Sequence, residues 1–210
     1  RKRVQMGKSA IGCLIVAVLV VLGLVLIGFW VAGQFNGLVA AQEVVEQQWA
    51  QVETVYQRRA DLIPNLVATV KGASEFEQET LNQVVEARSR VGQMSVEAGA
   101  DIINDPAAFA QFQQAQDALS SALQRLLVVV ERYPELKSVA AYQDLMVQLE
   151  GTENRISVER NRFNQAARDF NVRAKRIPTR WLISWLGWDF PEKAYFSSQP
   201  GAETAPAVEF

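Results

Sequence analysis

The residues best placed to do chemistry in this chain lie near its end. Arg173, Lys175, Arg176 and Arg180 lead directly into WLISWLGW, and a helix there would put Trp181, Trp185 and Trp188 at i, i+4 and i+7 on one face. Indole rings favour the membrane–water interface, and Lys or Arg beside them can meet anionic headgroups. The chemistry of such a cluster is binding. Two readings fit it: contact with a lipid surface, or packing that closes a bundle end or meets a neighbouring subunit. Nucleic acid is not an expected partner, because the rest of the outer chain is acidic and is expected to lie outside the cytoplasm.

Covalent catalysis has little to draw on. The chain has no His and one Cys. A His-based acid–base relay, a His-ligated metal and a Ser-His-Asp triad are therefore out of reach. Neither the phosphate-loop pattern GxxxxGKS/T nor the dinucleotide pattern GxGxxG occurs. Glu75, Glu77 and Glu79 alternate, so on a helix they fan over different faces and read as a solvated acidic turn. Cys13 opens an apolar stretch, whereas a lipidated Cys would follow one, so it reads as a small lipid-facing or packing residue. The expectation is no catalytic residue, no cofactor, no metal and no enzyme activity.

The elements that position the Trp and Arg cluster begin with a membrane anchor. Ile11 to Ala32 is an unbroken run of 22 residues without a charged or hydrogen-bonding polar side chain. As a helix it reaches ~33 Å, enough to cross a hydrocarbon core of ~30 Å. It is longer than the apolar region of a cleaved signal peptide, and Trp30 and Phe35 crowd its far end. Arg1, Lys2, Arg3 and Lys8 precede it, whereas the next basic residue is Arg58, after Glu43, Glu46 and Glu53. Basic flanks stay on the cytoplasmic side, so the N-terminus is expected in the cytoplasm and residues 33–210 outside the inner membrane. The chain opens on Arg1 rather than Met, which leaves the native N-terminus open.

Four segments follow: a basic cytoplasmic N-terminus (1–10), a transmembrane helix (11–32), a helical domain (33–196) and a polar tail (197–210). The first 32 residues carry +4, so of the net −2 the remainder carries −6. Arg155 to Arg180 holds eight basic residues against Glu159 and Asp169, so the acidic domain has one basic end. The tail is rich in Ala, Pro and Glu, and its composition alone favours disorder.

Periodicity predicts an all-α fold, an anchor helix followed by an elongated antiparallel bundle of about four long helices. The first outer helix is expected from Phe35 to Arg59, on a stripe of Leu38, Val45 and Val52 with Ala41, Trp49 and Tyr56. Asp61 reads as the cap of a second helix, with Pro64 in its first turn and Leu62, Leu66 and Val70 as its stripe. That pattern resumes at Phe76, Leu81, Val84, Arg88 and Val91 and fades near Gly92. Ser95 to Asn104 reads as a loop. Asp105-Pro106 starts a third helix, on Phe109, Phe112, Gln116, Leu119, Leu123, Leu126, Val130 and Tyr133, ended by Pro134. Tyr142, Leu149, Ile156, Phe163, Phe170 and Ile177 recur every seven residues in a fourth helix, which starts near Glu135 to Ser138 and is closed by Pro178. Sustained sevens indicate bundle or coiled-coil packing. Gly33 and Gly37 form a GxxxG at the membrane edge, a weakly specific close-packing signal.

RRADLIPNLVATVKG (Arg58–Gly72), with WAQVETVYQ before it and FEQETLNQVVEAR after it, resembles the LemA family of bacterial membrane proteins. ENRISVERNRFNQAARDFN (Glu153–Asn171) and FPEKAYF (Phe190–Phe196) are similar to the family's C-terminal pattern. The likeness spans nearly the whole chain except the tail. The basic N-terminal extension is longer than usual for the family, and Trp181–Trp188 is unusually rich in Trp. The resemblance implies one N-terminal transmembrane helix in the bacterial inner membrane and an antiparallel helical bundle. A relative in magnetosome-forming bacteria is needed for making membrane compartments. No catalytic residues carry over. Within the signature, Arg59, Asp61, Pro64 and Asn65 are expected to fix a sharp turn between the first two outer helices, the alternative being a binding surface.

The functional expectation is a homo-oligomeric scaffold that organises or remodels membrane, with the lipid bilayer and its own copies as partners. The alternative is an adaptor that binds and regulates other membrane proteins, such as proteases or transport components.

Overall fold

Leu38, Val45, Val52, Arg59 and Leu66 recur every seven residues, and Trp49, Tyr56, Ile63 and Val70 recur on the same interval beside them. All are buried. The apolar stripe therefore runs through the expected turn without a change of phase. In the computed structural model, which describes residues 8–72 and 77–197, it belongs to one helix, α1, Lys8–Lys71, of 64 residues. At 1.5 Å per residue α1 is ~96 Å long. The break expected between Arg59 and Asp61 does not occur, and Pro64 lies inside the helix.

A Pro in a helix interior has no N–H for the carbonyl four residues back and crowds it. Here that carbonyl belongs to Ala60, and Arg88 donates its Nε–H to it at 2.9 Å. A side chain from the next helix thus satisfies the acceptor that Pro64 leaves free. Asp61 and Asn65 face solvent, where Asp61 accepts from Gln57 at 2.8 Å.

α2 spans Gln78–Ala98, six residues beyond the expected fade at Gly92, and a 3-10 segment, Gly99–Asn104, replaces the expected loop. α3, Pro106–Val130, starts as anticipated, with the Asp105 carboxylate accepting from the Ala107 and Ala108 N–H groups. A short α4, Pro134–Lys137, precedes α5, Ala140–Lys175, of 36 residues. α5 stops short of Ile177 because Pro178 disfavours helical backbone in the residue before it. Ile177 is consequently exposed, not a core position. α6, Thr179–Leu186, is followed by Gly187 in the left-handed conformation and an extended segment to Ser197. The basic residues before Lys8, Glu75 and the tail beyond Ser197 lie outside the described residues.

The four long helices are α1, α2, α3 and α5. α1 pairs antiparallel with α5, and α2 with α3. The core divides into two. The half nearer the apolar end is aromatic: Trp49 meets Phe109, Phe112 and Phe163 at centroid distances of 5.8, 5.4 and 5.4 Å. The far half is aliphatic, built from Ile63, Leu66, Val70, Leu81, Val84, Leu119, Leu126 and their neighbours. Between them lies a polar layer of Arg59, Gln116 and Thr152, all buried.

Between Gly12 and Trp30, α1 packs on no other element among the described residues. From Leu14 to Trp30 its large apolar side chains are exposed. Among the described residues it is the one helix long and apolar enough to cross a membrane.

Candidate functional site: a buried arginine layer and a basic aromatic end

Arg59 occupies a heptad position that would otherwise take a Leu, and it is 1% exposed. Its guanidinium is held from two other helices. Nη1 donates to Ser120 Oγ at 2.8 Å and to Glu153 Oε1 at 3.1 Å, and Nη2 donates to the Gln116 carbonyl at 3.4 Å and to Gln116 Oε1. A planar fork with several fixed donors suits this task better than an ammonium would. Arg160, about two helical turns along α5 from the layer, donates Nε–H to the Tyr56 hydroxyl and pairs with Asp117 at 3.3 Å. Both guanidinium groups stack on the Tyr56 ring, at 5.2 and 5.5 Å from its centroid. Burial pushes the Tyr56 phenol above its ordinary value, opposed by Arg160 and Arg59.

Arg59 and Arg160 line a polar cavity of about 320 Å³ bounded mainly by α3 and α5. Asp117, Ser120, Gln124, Glu153, Ser157 and Asn161 complete much of its wall. Two cations face two carboxylates there, so the cavity carries no net charge. On the opposite side, a larger crevice of about 1300 Å³ runs along α1 and α2, lined by Trp49, Glu53, Gln57, Arg58, Arg88 and Phe112 among others. The Trp49 indole N–H is buried there without a hydrogen-bond partner. Among the described residues no group of His, Cys, Asp and Glu is arranged to hold a metal ion.

The basic aromatic end is split by the structure into separate tasks. Arg173 donates Nη1–H to the Gly37 carbonyl at 2.5 Å, and a Cβ on Gly37 would stand 3.4 Å from that nitrogen. This bond ties α5 to the backbone of α1. Lys175 pairs with Glu192 at 2.5 Å. Arg176 and Arg180 point to solvent. Trp181 and Trp185 share an exposed face of α6, but the helix ends before Trp188, which turns inward and packs edge-on against Phe35 at 5.0 Å. The three Trp residues therefore do not form one face.

The extended segment after α6 is held by three side-chain amides. Asn171 accepts from the Lys193 N–H at 2.9 Å and donates to its carbonyl at 2.8 Å. Asn164, seven residues earlier on α5, does the same for Phe196 at 2.8 and 2.9 Å. Gln113 on α3 donates to the Ser197 carbonyl at 3.0 Å and accepts from its N–H at 3.2 Å. Each amide acts as a substitute strand partner. Phe196 enters the aromatic core, and Lys193, 1% exposed, lies over the Phe170 ring at 5.0 Å and donates to Asn104. Sequence reasoning singled out neither this docking nor Arg160, Asp117, Ser120 and Glu153. One signal was present: Asn164 and Asn171 keep the seven-residue interval of the phenylalanines beside them.

The model of the LemA family matches residues 48–210. Magnetosome protein MamQ of Magnetospirillum gryphiswaldense is 26% identical over 185 residues, covering 81% of this chain and 67% of the relative. Magnetosome protein MamQ 2 of Paramagnetospirillum magneticum matches equally, at 26% over 185 residues. Protein LemA of Metamycoplasma hominis is 22% identical over 153 residues, 73% of this chain and 64% of the relative.

Proposed function

Because the chain belongs to the LemA family, we propose that it is a membrane-anchored, homo-oligomeric scaffold of the bacterial inner membrane that organises or remodels membrane and catalyses no reaction. The observation that carries this reading is the unbroken α1. One helix is both the apolar anchor and the central member of the bundle. Lateral contacts between bundles would thus be transmitted to the lipid-embedded segment without an intervening hinge. The basic flank before the anchor supports a cytoplasmic N-terminus and an outer bundle.

Self-association is supported by the outer face of α5. Val147, Val158 and Val172 are all exposed, Val147 at 71%. Their spacings of 11 and 14 residues bring them within a narrow arc of a 3.6-residue helix. The relatives named magnetosome proteins support a role at a membrane compartment. The test is cysteine cross-linking in native membranes, with V147C, V158C or V172C placed in a C13S background. Cross-linked multimers at one or more positions support the scaffold. Monomers at all three count against this face as the contact.

The crevice along α1 and α2 favours a second reading, an adaptor that holds a segment of another membrane protein. A different protein recovered in stoichiometric amount with the full-length chain, in place of its own copies, would favour it.

A further inference from the structure

We infer that α6 is an interfacial helix lying on the same bilayer that α1 crosses, so that the chain meets the membrane twice. The inference rests on α1 being the anchor. Thr179, the first residue of α6, donates Oγ1–H to Gln34 Oε1 at 3.2 Å. Trp188, just after α6, packs on Phe35. Gln34 and Phe35 lie two and three residues beyond the apolar run that ends at Ala32. At 1.5 Å per residue, α6 therefore starts within ~5 Å of the level where the lipid-exposed stretch stops. That level is the headgroup region of a bilayer spanned by α1.

What α6 offers there matches the location. Ile183 and the neighbouring Trp188 pack on the aromatic core. Trp181 and Trp185, one turn apart on another face, are 64% and 85% exposed, and Leu186 is exposed beside them. Arg176 and Arg180 stand next to this face, solvent-facing and without an ion pair among the described residues. Exposed indoles with adjacent free guanidinium groups are the composition of a surface that sinks its rings among anionic headgroups. A second copy of the chain would have to bring both apolar surface and acid to the membrane plane. The bilayer supplies both at this level. With α1 crossing and α6 lying flat, the rotation of the bundle about the α1 axis is fixed relative to the membrane.

The test uses the full chain reconstituted in vesicles of phosphatidylcholine and phosphatidylglycerol, with bromine on the acyl chains of the phosphatidylcholine at shallow or deep positions. The W181F/W185F variant keeps Trp30, Trp49 and Trp188, so the difference between wild type and this variant isolates α6, and the difference between wild type and W30F isolates Trp30 as the reporter of the anchor. The expected result is an α6 component that is blue-shifted and quenched more by shallow than by deep bromines, with weaker quenching for R176Q/R180Q. An α6 component that iodide quenches from water, while Trp30 is quenched by bromine, overturns the inference and leaves the anchor standing. A blue-shifted component that bromine does not quench places the pair against another copy and also overturns it. Absence of bromine quenching for Trp30 removes the anchor and the inference together.

Discussion

Arg88 completes the helix that Pro64 would break. Its Nε–H occupies the Ala60 carbonyl at 2.9 Å, the acceptor that lost its helical donor when residue 64 became Pro. The signature segment around Pro64 and the arginine that ends FEQETLNQVVEAR are thus two halves of one device, joined across α1 and α2. Arg88→Leu should lower stability by about 1 kcal/mol, the usual net worth of a hydrogen bond. Pro64→Ala restores a donor to the Ala60 carbonyl, so the loss on Arg88→Leu should largely disappear in that background. A double-mutant cycle by urea unfolding measures the coupling, and additive losses would show that the two residues act independently.

Arg59 should tolerate no replacement by Lys. Four contacts to Ser120, Gln116 and Glu153 come from two guanidinium nitrogens, and an ammonium cannot span them. We expect Arg59→Lys to cost roughly 2–3 kcal/mol, the penalty for leaving buried polar groups unpaired. Glu153 is 40% exposed, so solvent screens its share and Glu153→Gln should cost well under ~1 kcal/mol. Thermal unfolding of the two variants side by side checks the order.

The amide clamps on the C-terminal segment give a local prediction. Asn171→Ala leaves the N–H and carbonyl of buried Lys193 without their amide partner. Stability should fall by ~1–3 kcal/mol. Residues 188–197 should become sensitive to limited proteolysis while the α1–α3 core keeps its helical signal. Equal protection of this segment in wild type and variant would contradict the docking described above.

Much of this architecture is legible from spacing alone, and its main departure is instructive. Leu38, Val45, Val52 and Leu66 keep one seven-residue phase, and Arg59 falls on it. A reader guided by charge stops the helix at Arg59, whereas one guided by phase continues it. Charge misleads because the partners that make a buried Arg acceptable, Gln116, Ser120 and Glu153, are 57 to 94 residues away. The same holds for Pro64, whose compensation by Arg88 depends on a contact between helices. The Asp105 cap and the stripes of α3 and α5 were readable because their partners are local or repeat with the helix period. The grouping of Trp181, Trp185 and Trp188 failed at Gly187, where a left-handed residue turns the third Trp inward.

Alkaline pH should loosen the bundle. Burial raises the Tyr56 phenol above its ordinary 10.0, and burial with Glu131 does the same for Tyr142. A group whose folded value is raised holds its proton more tightly when folded. Its contribution is complete below the unfolded value and is lost as pH climbs through the folded one. Stability should therefore decline above about pH 10. The decline should be shallower in Tyr56→Phe, as read from urea midpoints across that range. An identical slope in wild type and variant would remove Tyr56 from the account.

The central claim is self-association on a rigid anchor. Mass photometry of the full-length chain in mild detergent, with electron micrographs of the same sample, tests it most directly. The account predicts uniform particles at a multiple of the 23.4 kDa chain mass plus the detergent shell. A population of single chains at every protein concentration would contradict it.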